Sequence, residues 1–171
     1  RGAAGLKLLL IWRPDASRAR NVDIARRFME MSRRAGLLGI VEAVVRPDAA
    51  TSRETLILDA ARELAAVRPD LYKCEVPFQG KESNAAIAEV CEQISGILPC
   101  PWVVLSQGVP AEKFANAVEV ACGKGASGFL AGRAIWADTV RADDYAAAIR
   151  ELSVARLRDL IAIVDAGVRP S

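Results

Sequence analysis

Five short apolar runs, each followed by a stretch with helical periodicity, restrict this chain more than any other feature of its sequence. The runs cover 6–12 (Leu-Lys-Leu-Leu-Leu-Ile-Trp), 38–45 (Leu-Gly-Ile-Val-Glu-Ala-Val-Val), 70–77 (Asp-Leu-Tyr-Lys-Cys-Glu-Val-Pro), 102–106 (Trp-Val-Val-Leu-Ser) and 128–133 (Gly-Phe-Leu-Ala-Gly-Arg). They have strand length and are apolar on both faces, as expected of strands covered on two sides. The spacing predicts helices over 21–35, ending before Gly36, and over 52–67, capped by Ser52. Ile57, Ala60, Ala61 and Leu64 form the apolar stripe of the second helix. A third is expected over 83–97, with Ser83 or Asn84 as cap, and a fourth opens at Pro110, since proline suits a first turn. A short helix over 134–140 and a longer one over 143–165 follow. Strands alternating with amphipathic helices mean a parallel sheet covered by helices, an α/β fold. The 171 residues, 52% hydrophobic, suit one domain over 1–171.

Two architectures meet that pattern: an open doubly wound sheet, and a (βα)8 barrel of which about five units are present. Polar residues decide between them. Lys7, Glu42, Lys73, Ser106 and Arg133 lie within or at the end of five different strands. Barrels draw their sites from the C-terminal ends of several strands in this way, whereas an open sheet gathers its ligand residues at one switch point. No glycine-rich dinucleotide fingerprint follows the first strand. The barrel is the expected fold.

Composition removes chemistries. Histidine is absent, which rules out Ser-His and Cys-His nucleophiles and the commonest metal ligand. Cys74, Cys91, Cys100 and Cys122 show no CxxC spacing. They read as free thiols of a cytoplasmic protein rather than as a disulfide framework. A net charge of +2, with both signs interspersed, carries no footprint for nucleic acid or an anionic membrane. The apolar runs are too short to span a bilayer. The first residue is Arg, and the natural start of the chain is expected to lie upstream.

What remains is an amine. Alternation along the third strand points Leu71, Lys73 and Glu75 one way and Tyr72, Cys74 and Val76 the other. Lys73 then has two readings: it snorkels to solvent from a strand end, or it is a nucleophile inside the barrel. Lys7, Glu42, Lys73 and Glu75 together aim two positive and two negative charges at one lumen. They form either a mutually neutralising network or a functional group, and buried ion pairs stabilise too poorly to favour the first. A lysine that attacks a ketone must be neutral, and the ordinary amine pKa of about 10.4 leaves only about one in 2,500 uncharged at pH 7. Burial, with Lys7 as a neighbouring cation, would lower that value. Glu42 on the adjacent strand is the first candidate for moving protons and Glu75 the second. An iminium is its own electron sink, so neither metal nor cofactor is expected. The last two strands end in Ser106-Gln107-Gly108 and Gly132-Arg133. In barrels, the loops after the last two strands commonly hold a phosphate, and Arg133 adds a bidentate cation.

At these residues the chain resembles a known family. Lys7-Leu8-Leu9-Leu10, Leu71-Tyr72-Lys73-Cys74-Glu75-Val76-Pro77, Trp102-Val103-Val104-Leu105-Ser106-Gln107-Gly108-Val109 and the run from Gly125 through Gly132-Arg133-Ala134-Ile135-Trp136 are similar to the class I aldolases. The similar branch contains tagatose 1,6-bisphosphate aldolase and sulfofructosephosphate aldolase. Ile11-Trp12-Arg13 and Trp102 lean toward the sulfosugar members. The resemblance implies a barrel in which these units are strands four to eight. It further implies Lys73 as the Schiff-base lysine, Glu42 as acid/base, Lys7 assisting, and a phosphate site at Ser106, Gln107, Gly108, Gly132 and Arg133. The implied reaction cleaves a phosphorylated ketose to dihydroxyacetone phosphate and a three-carbon aldehyde, in a homo-oligomer. Five strands leave two edges and an open lumen, so more polypeptide, or a second copy, is expected to close the ring. Two alternatives remain: a transaldolase-like transfer at the same lysine, and a sugar-phosphate-binding or regulatory protein whose incomplete barrel has lost turnover.

Overall fold

The computed structural model describes residues 2–167. Its frame is a single parallel sheet of five strands: β1 (Gly5–Trp12), β2 (Leu38–Val45), β3 (Leu71–Glu75), β4 (Trp102–Leu105) and β5 (Phe129–Leu130), hydrogen-bonded in chain order. Helices α1 (Ser17–Arg34), α2 (Arg53–Ala65), α3 (Asn84–Ile97) and α4 (Ala111–Cys122) make the crossovers. After β5 come α5 (Arg133–Trp136), α6 (Tyr145–Ala148) and α7 (Val154–Gly167). Each of the four crossover helices packs on the next, and α7 packs on α4. The helices therefore form one layer, on one side of the sheet. A strand order without reversal, backed by one helical layer, is the wall of a (βα) barrel and not a doubly wound sheet.

Register fixes which side chains meet. Lys7 pairs with Ile40, Leu9 with Glu42, Glu42 with Lys73, Lys73 with Val103, and Leu105 with Leu130. Those residues share the face turned away from the helices. The opposite face carries Leu10, Trp12, Val41, Ala43, Val45, Tyr72, Cys74, Trp102 and Val104, all buried in the core. Helical stripes close over it: Leu56, Ile57, Ala60, Ala61 and Leu64 of α2, then Ile87, Cys91 and Ile94 of α3. The inner face is open by comparison, and Leu9, Ile11 and Leu130 remain exposed on it.

Most element boundaries follow local chemistry. The Ser52 side chain accepts from the Thr55 N–H, and Ser83, not Asn84, caps α3 by accepting from Ala86. Several boundaries differ from the sequence expectation: the third strand, expected over 70–77, stops at Glu75 before a 3-10 turn (Pro77–Gly80), and the short helix expected over 134–140 is α5 followed by a 3-10 turn (Thr139–Arg141). The first helix begins at Ser17 rather than near Asn21, because the Asp15 carboxylate accepts from the Ser17 N–H and starts the turn; the Asn21 amide donates to the Ile11 carbonyl. The fifth strand spans only Phe129–Leu130, since Gly132, at φ −129° and ψ −91°, turns the chain into α5. The stretch expected as one helix over 143–165 is α6, a π turn (Ile149–Ser153) and α7, with the Ser153 and Thr139 hydroxyls 2.8 Å apart beside the π turn. Among the described residues, no helix is long and apolar enough to cross a membrane.

Candidate active site

Three parallel strands bring three charged side chains to one point. Glu42 sits on β2 between Lys7 of β1 and Lys73 of β3, all on the inner face. Lys7 Nζ donates to Glu42 Oε2 at 2.8 Å, and Lys73 Nζ reaches the same oxygen at 3.2 Å. The side chain of Glu42 is only 5% exposed, that of Lys73 16%, and that of Lys7 43%. One carboxylate oxygen thus organises two amines. The inner amine lies largely out of water; the outer one remains in it. Lys7 is thus the more exposed of the two amines that share this oxygen.

A cavity of about 570 Å³ opens from this point. Glu42 and Lys73 line one end. Ser106, Gln107, Gly108, Gly132 and Arg133 line the other, with Leu105, Leu130 and Trp136 among the walls between. Ser106 to Val109 is a closed turn in which the Val109 N–H donates to the Ser106 carbonyl at 3.2 Å. Gly108, at φ +75°, takes the left-handed conformation that only glycine adopts cheaply. The Gly132 carbonyl accepts from Ile135 at 2.8 Å as α5 begins. Two glycine turns and one guanidinium thus line the same cavity, residue types that anion sites use.

Glu75 stands two residues beyond Lys73 but is occupied differently. Its Oε2 accepts from Arg53 Nη1 at 2.7 Å, its Oε1 is buried without a partner, and it does not line the cavity. Burial pushes its carboxyl above the ordinary glutamate range, and the Arg53 guanidinium pulls the other way without cancelling that rise. Lys7 does not line the cavity either and reaches it through Glu42. Of the nine residues singled out from sequence, seven meet in one cavity, Lys7 bonds one of these from outside it, and Glu75 belongs to a separate ion pair.

The thiols offer no competing nucleophile. Burial raises Cys91 to about 12 and pushes Cys74, Cys100 and Cys122 upward as well. Thiolates are accordingly scarce at neutral pH.

Two features were invisible in the sequence. Arg53 follows an ordinary helix cap, and nothing local marks it as the partner of Glu75. Immediately after the Lys73 strand, Phe78 (φ 54°, ψ 16°) and Gln79 (φ 52°, ψ 31°) both lie in the left-handed region, followed by Gly80 at φ 67°. Such conformations cost about 1–3 kcal/mol each for non-glycine residues and persist only where their surroundings impose them. The Glu54 carboxylate of α2 does so here by accepting from the Phe78 N–H at 2.9 Å.

Comparison with known proteins bears on the family and the fold. A family model described as "DeoC/LacD family aldolase" matches residues 1–138. Among solved structures, an archaeal fructose 1,6-bisphosphate aldolase superposes with a TM-score of 0.72 at 17% identity, over 97% of this chain and 60% of that one. An archaeal fructose-1,6-bisphosphate aldolase whose catalytic lysine is covalently bound to the carbinolamine intermediate of its substrate has a TM-score of 0.70 at 17% identity, over 95% and 59%. The fructose-bisphosphate aldolase of Plasmodium falciparum superposes at 0.76 with 14% identity, over 99% and 59%. These likenesses establish a shared fold. The chain spans about three-fifths of the length of each.

Proposed function

The chain belongs to the DeoC/LacD family of aldolases, and from that premise we propose that it carries the Schiff-base half of a class I aldolase site, with Lys73 as the nucleophile. The observation that carries the reading is Lys73 Nζ, 3.2 Å from the buried Glu42 carboxylate, at one end of a cavity whose other end is the Gly108 turn and Arg133. A phosphorylated ketose fits that layout: its phosphate lies against Ser106, Gln107, Gly108, Gly132 and Arg133, and its carbonyl carbon meets the amine.

In this reading the neutral Lys73 amine adds to the C2 carbonyl, giving a carbinolamine. Glu42 then gives its proton to the departing hydroxyl; water leaves, the iminium forms, and Glu42 is left as a carboxylate. Glu42 then takes the C4 hydroxyl proton while the C3–C4 bond breaks. Its electrons move onto the iminium to form an enamine, and a three-carbon aldehyde leaves. Reprotonation at C3 and hydrolysis return dihydroxyacetone phosphate and the free lysine. Lys7 holds the carboxylate between these steps. No step calls for a metal or a cofactor. The substrate proposed is a ketose of the tagatose 1,6-bisphosphate or sulfofructose 1-phosphate kind. The captured carbinolamine of the archaeal relative lends support to the imine route.

The free edges of β1 and β5 and the exposed Leu9, Ile11 and Leu130 favour a second reading for these residues taken alone: sugar-phosphate binding without turnover until further strands, or another copy of the chain in a homo-oligomer, complete the wall. One experiment separates the two. The protein is incubated with dihydroxyacetone phosphate and sodium borohydride, then digested and mass-mapped. A reduced adduct on the peptide containing Lys73 is expected; ligand-dependent melting without any adduct would leave the binding reading in its place.

A further inference from the structure

The strained turn after β3 does more than end a strand, because it is built into the loop at the far end of the cavity. A Cβ placed on Gly108 would overlap the Gln79 carboxamide, so Gln79 occupies the space that Gly108 leaves free. One residue on, a Cβ at Gly80 would come within 3.1 Å of Val109 Cγ1, so each loop seats a side chain on a glycine of the other. Gln79 itself does not line the cavity. On its other side its carbonyl oxygen accepts from Lys81 Nζ at 3.1 Å, which leaves the amide nitrogen turned toward Gly108. Two left-handed non-glycine residues in succession are not a resting choice of the backbone. Their position is imposed, by the Phe78 N–H bonded to Glu54 and by the packing of Gly80.

We propose that Gln79 is a positioning residue for anion recognition: its carboxamide, carried on the turn that directly follows the Lys73 strand, props the 106–109 loop in the shape that presents its backbone N–H groups to a substrate phosphate. The amine end and the phosphate end of the cavity are thereby joined by one rigid segment of five residues after Glu75, and not only through the sheet. The inference rests on the phosphate reading of that loop given above. Gln79 acts through Gly108 and touches no reacting atom.

Gln79→Gly is the decisive variant, since glycine accepts φ +52° better than glutamine and the fold is spared. Borohydride trapping is titrated with dihydroxyacetone phosphate and, in parallel, with unphosphorylated dihydroxyacetone. The variant is expected to need about tenfold more of the phosphate ester for half-maximal adduct, with the maximal trapping rate and the dihydroxyacetone titration unchanged, a loss of the size of one or two hydrogen bonds. Gln79→Met, of similar length and without a donor, is expected to recover most of the affinity, because the role is to fill the space over Gly108. Equal weakening for both ketones, or no weakening for the ester, overturns the inference while leaving the imine chemistry intact. If the unmodified protein forms no adduct, the aldolase reading fails separately, and the loop is tested by melting in inorganic phosphate. A phosphate-induced rise that is smaller in Gln79→Gly sustains the inference. An equal rise, or none in the unmodified protein, sinks it.

Discussion

Glu42 and Glu75 are the same residue type on adjacent strands of one sheet, both on its inner face and both nearly sealed from water, at 4% and 2% exposure. They have been put to opposite use. Glu42 faces the cavity and shares one oxygen between two lysines. Glu75 faces a guanidinium from the first turn of α2, leaves its other oxygen unpartnered, and stays out of the cavity. The difference shows that an acid inside an apolar strand marks an inner-face position, while the partner brought by another element decides whether that acid can exchange protons with a ligand.

Substitutions sharpen that contrast. The largest effect is expected at the amine that Glu42 serves: Lys73→Ala abolishes borohydride trapping and lowers turnover by about 10⁴-fold or more, as loss of a covalent nucleophile does. Mass mapping and a coupled aldehyde assay read it, and an undiminished adduct elsewhere would move the nucleophile. Glu42→Gln keeps the shape and removes the proton carrier, so turnover should fall about 10²- to 10⁴-fold with modest change in KM. A Glu42 variant with ordinary activity would assign the proton work to Glu75 and invert the comparison. At the cavity's far end, Arg133→Ala should raise KM for a phosphorylated ketose by about 10- to 100-fold, the worth of a charge-assisted hydrogen bond. It should leave an unphosphorylated analogue unaffected.

The smallest effect on activity is expected at Glu75, where Glu75→Gln should stay within about threefold of the unmodified protein, under 1 kcal/mol of barrier. Its signature is in stability. Because burial raises the folded-state value of this carboxyl above the ordinary 4.5, the folded protein holds that proton longer than the unfolded chain. The resulting stabilisation is fully present below pH 4.5 and is lost as pH rises through the folded-state value. Thermal melts from about pH 4 to about pH 8 should show that decline in the unmodified protein and a flatter profile in Glu75→Gln. Equal slopes would mean that Arg53 holds the carboxylate as ionised as it is in water.

Much of this was legible in the residues themselves. Leu71, Lys73 and Glu75 alternate with Tyr72, Cys74 and Val76, and the register places them as alternation requires. Ser52 caps α2 because a hydroxyl before a free N–H is a local matter. The boundaries that differ have unlike causes: the first is a local contact that periodicity does not weigh, the fifth strand ends on the Gly132 turn, and the π turn lies beside a contact between residues fourteen apart. Asp15 reaches Ser17, Asn21 is drawn to the Ile11 carbonyl, and the Thr139 and Ser153 hydroxyls meet beside the π turn. Likewise nothing near Glu75 in sequence announces Arg53, and nothing near Lys73 announces a left-handed pair braced by Glu54.

By itself the sequence determined the alternation of strand and helix, the inner-face position of two lysines and two acids, the absence of any imidazole, and the glycines that let two loops turn at the strand ends. These depend on backbone period and side-chain chemistry, which act over a few residues. Only the tertiary structure decided which acid meets which base, that one oxygen of Glu42 serves two amines, and that Gln79 fills the space over Gly108. Those are meetings across strand registers and loop packings 22 to 35 residues apart along the chain, and distance in space is set there by the sheet, not by the spacing of letters.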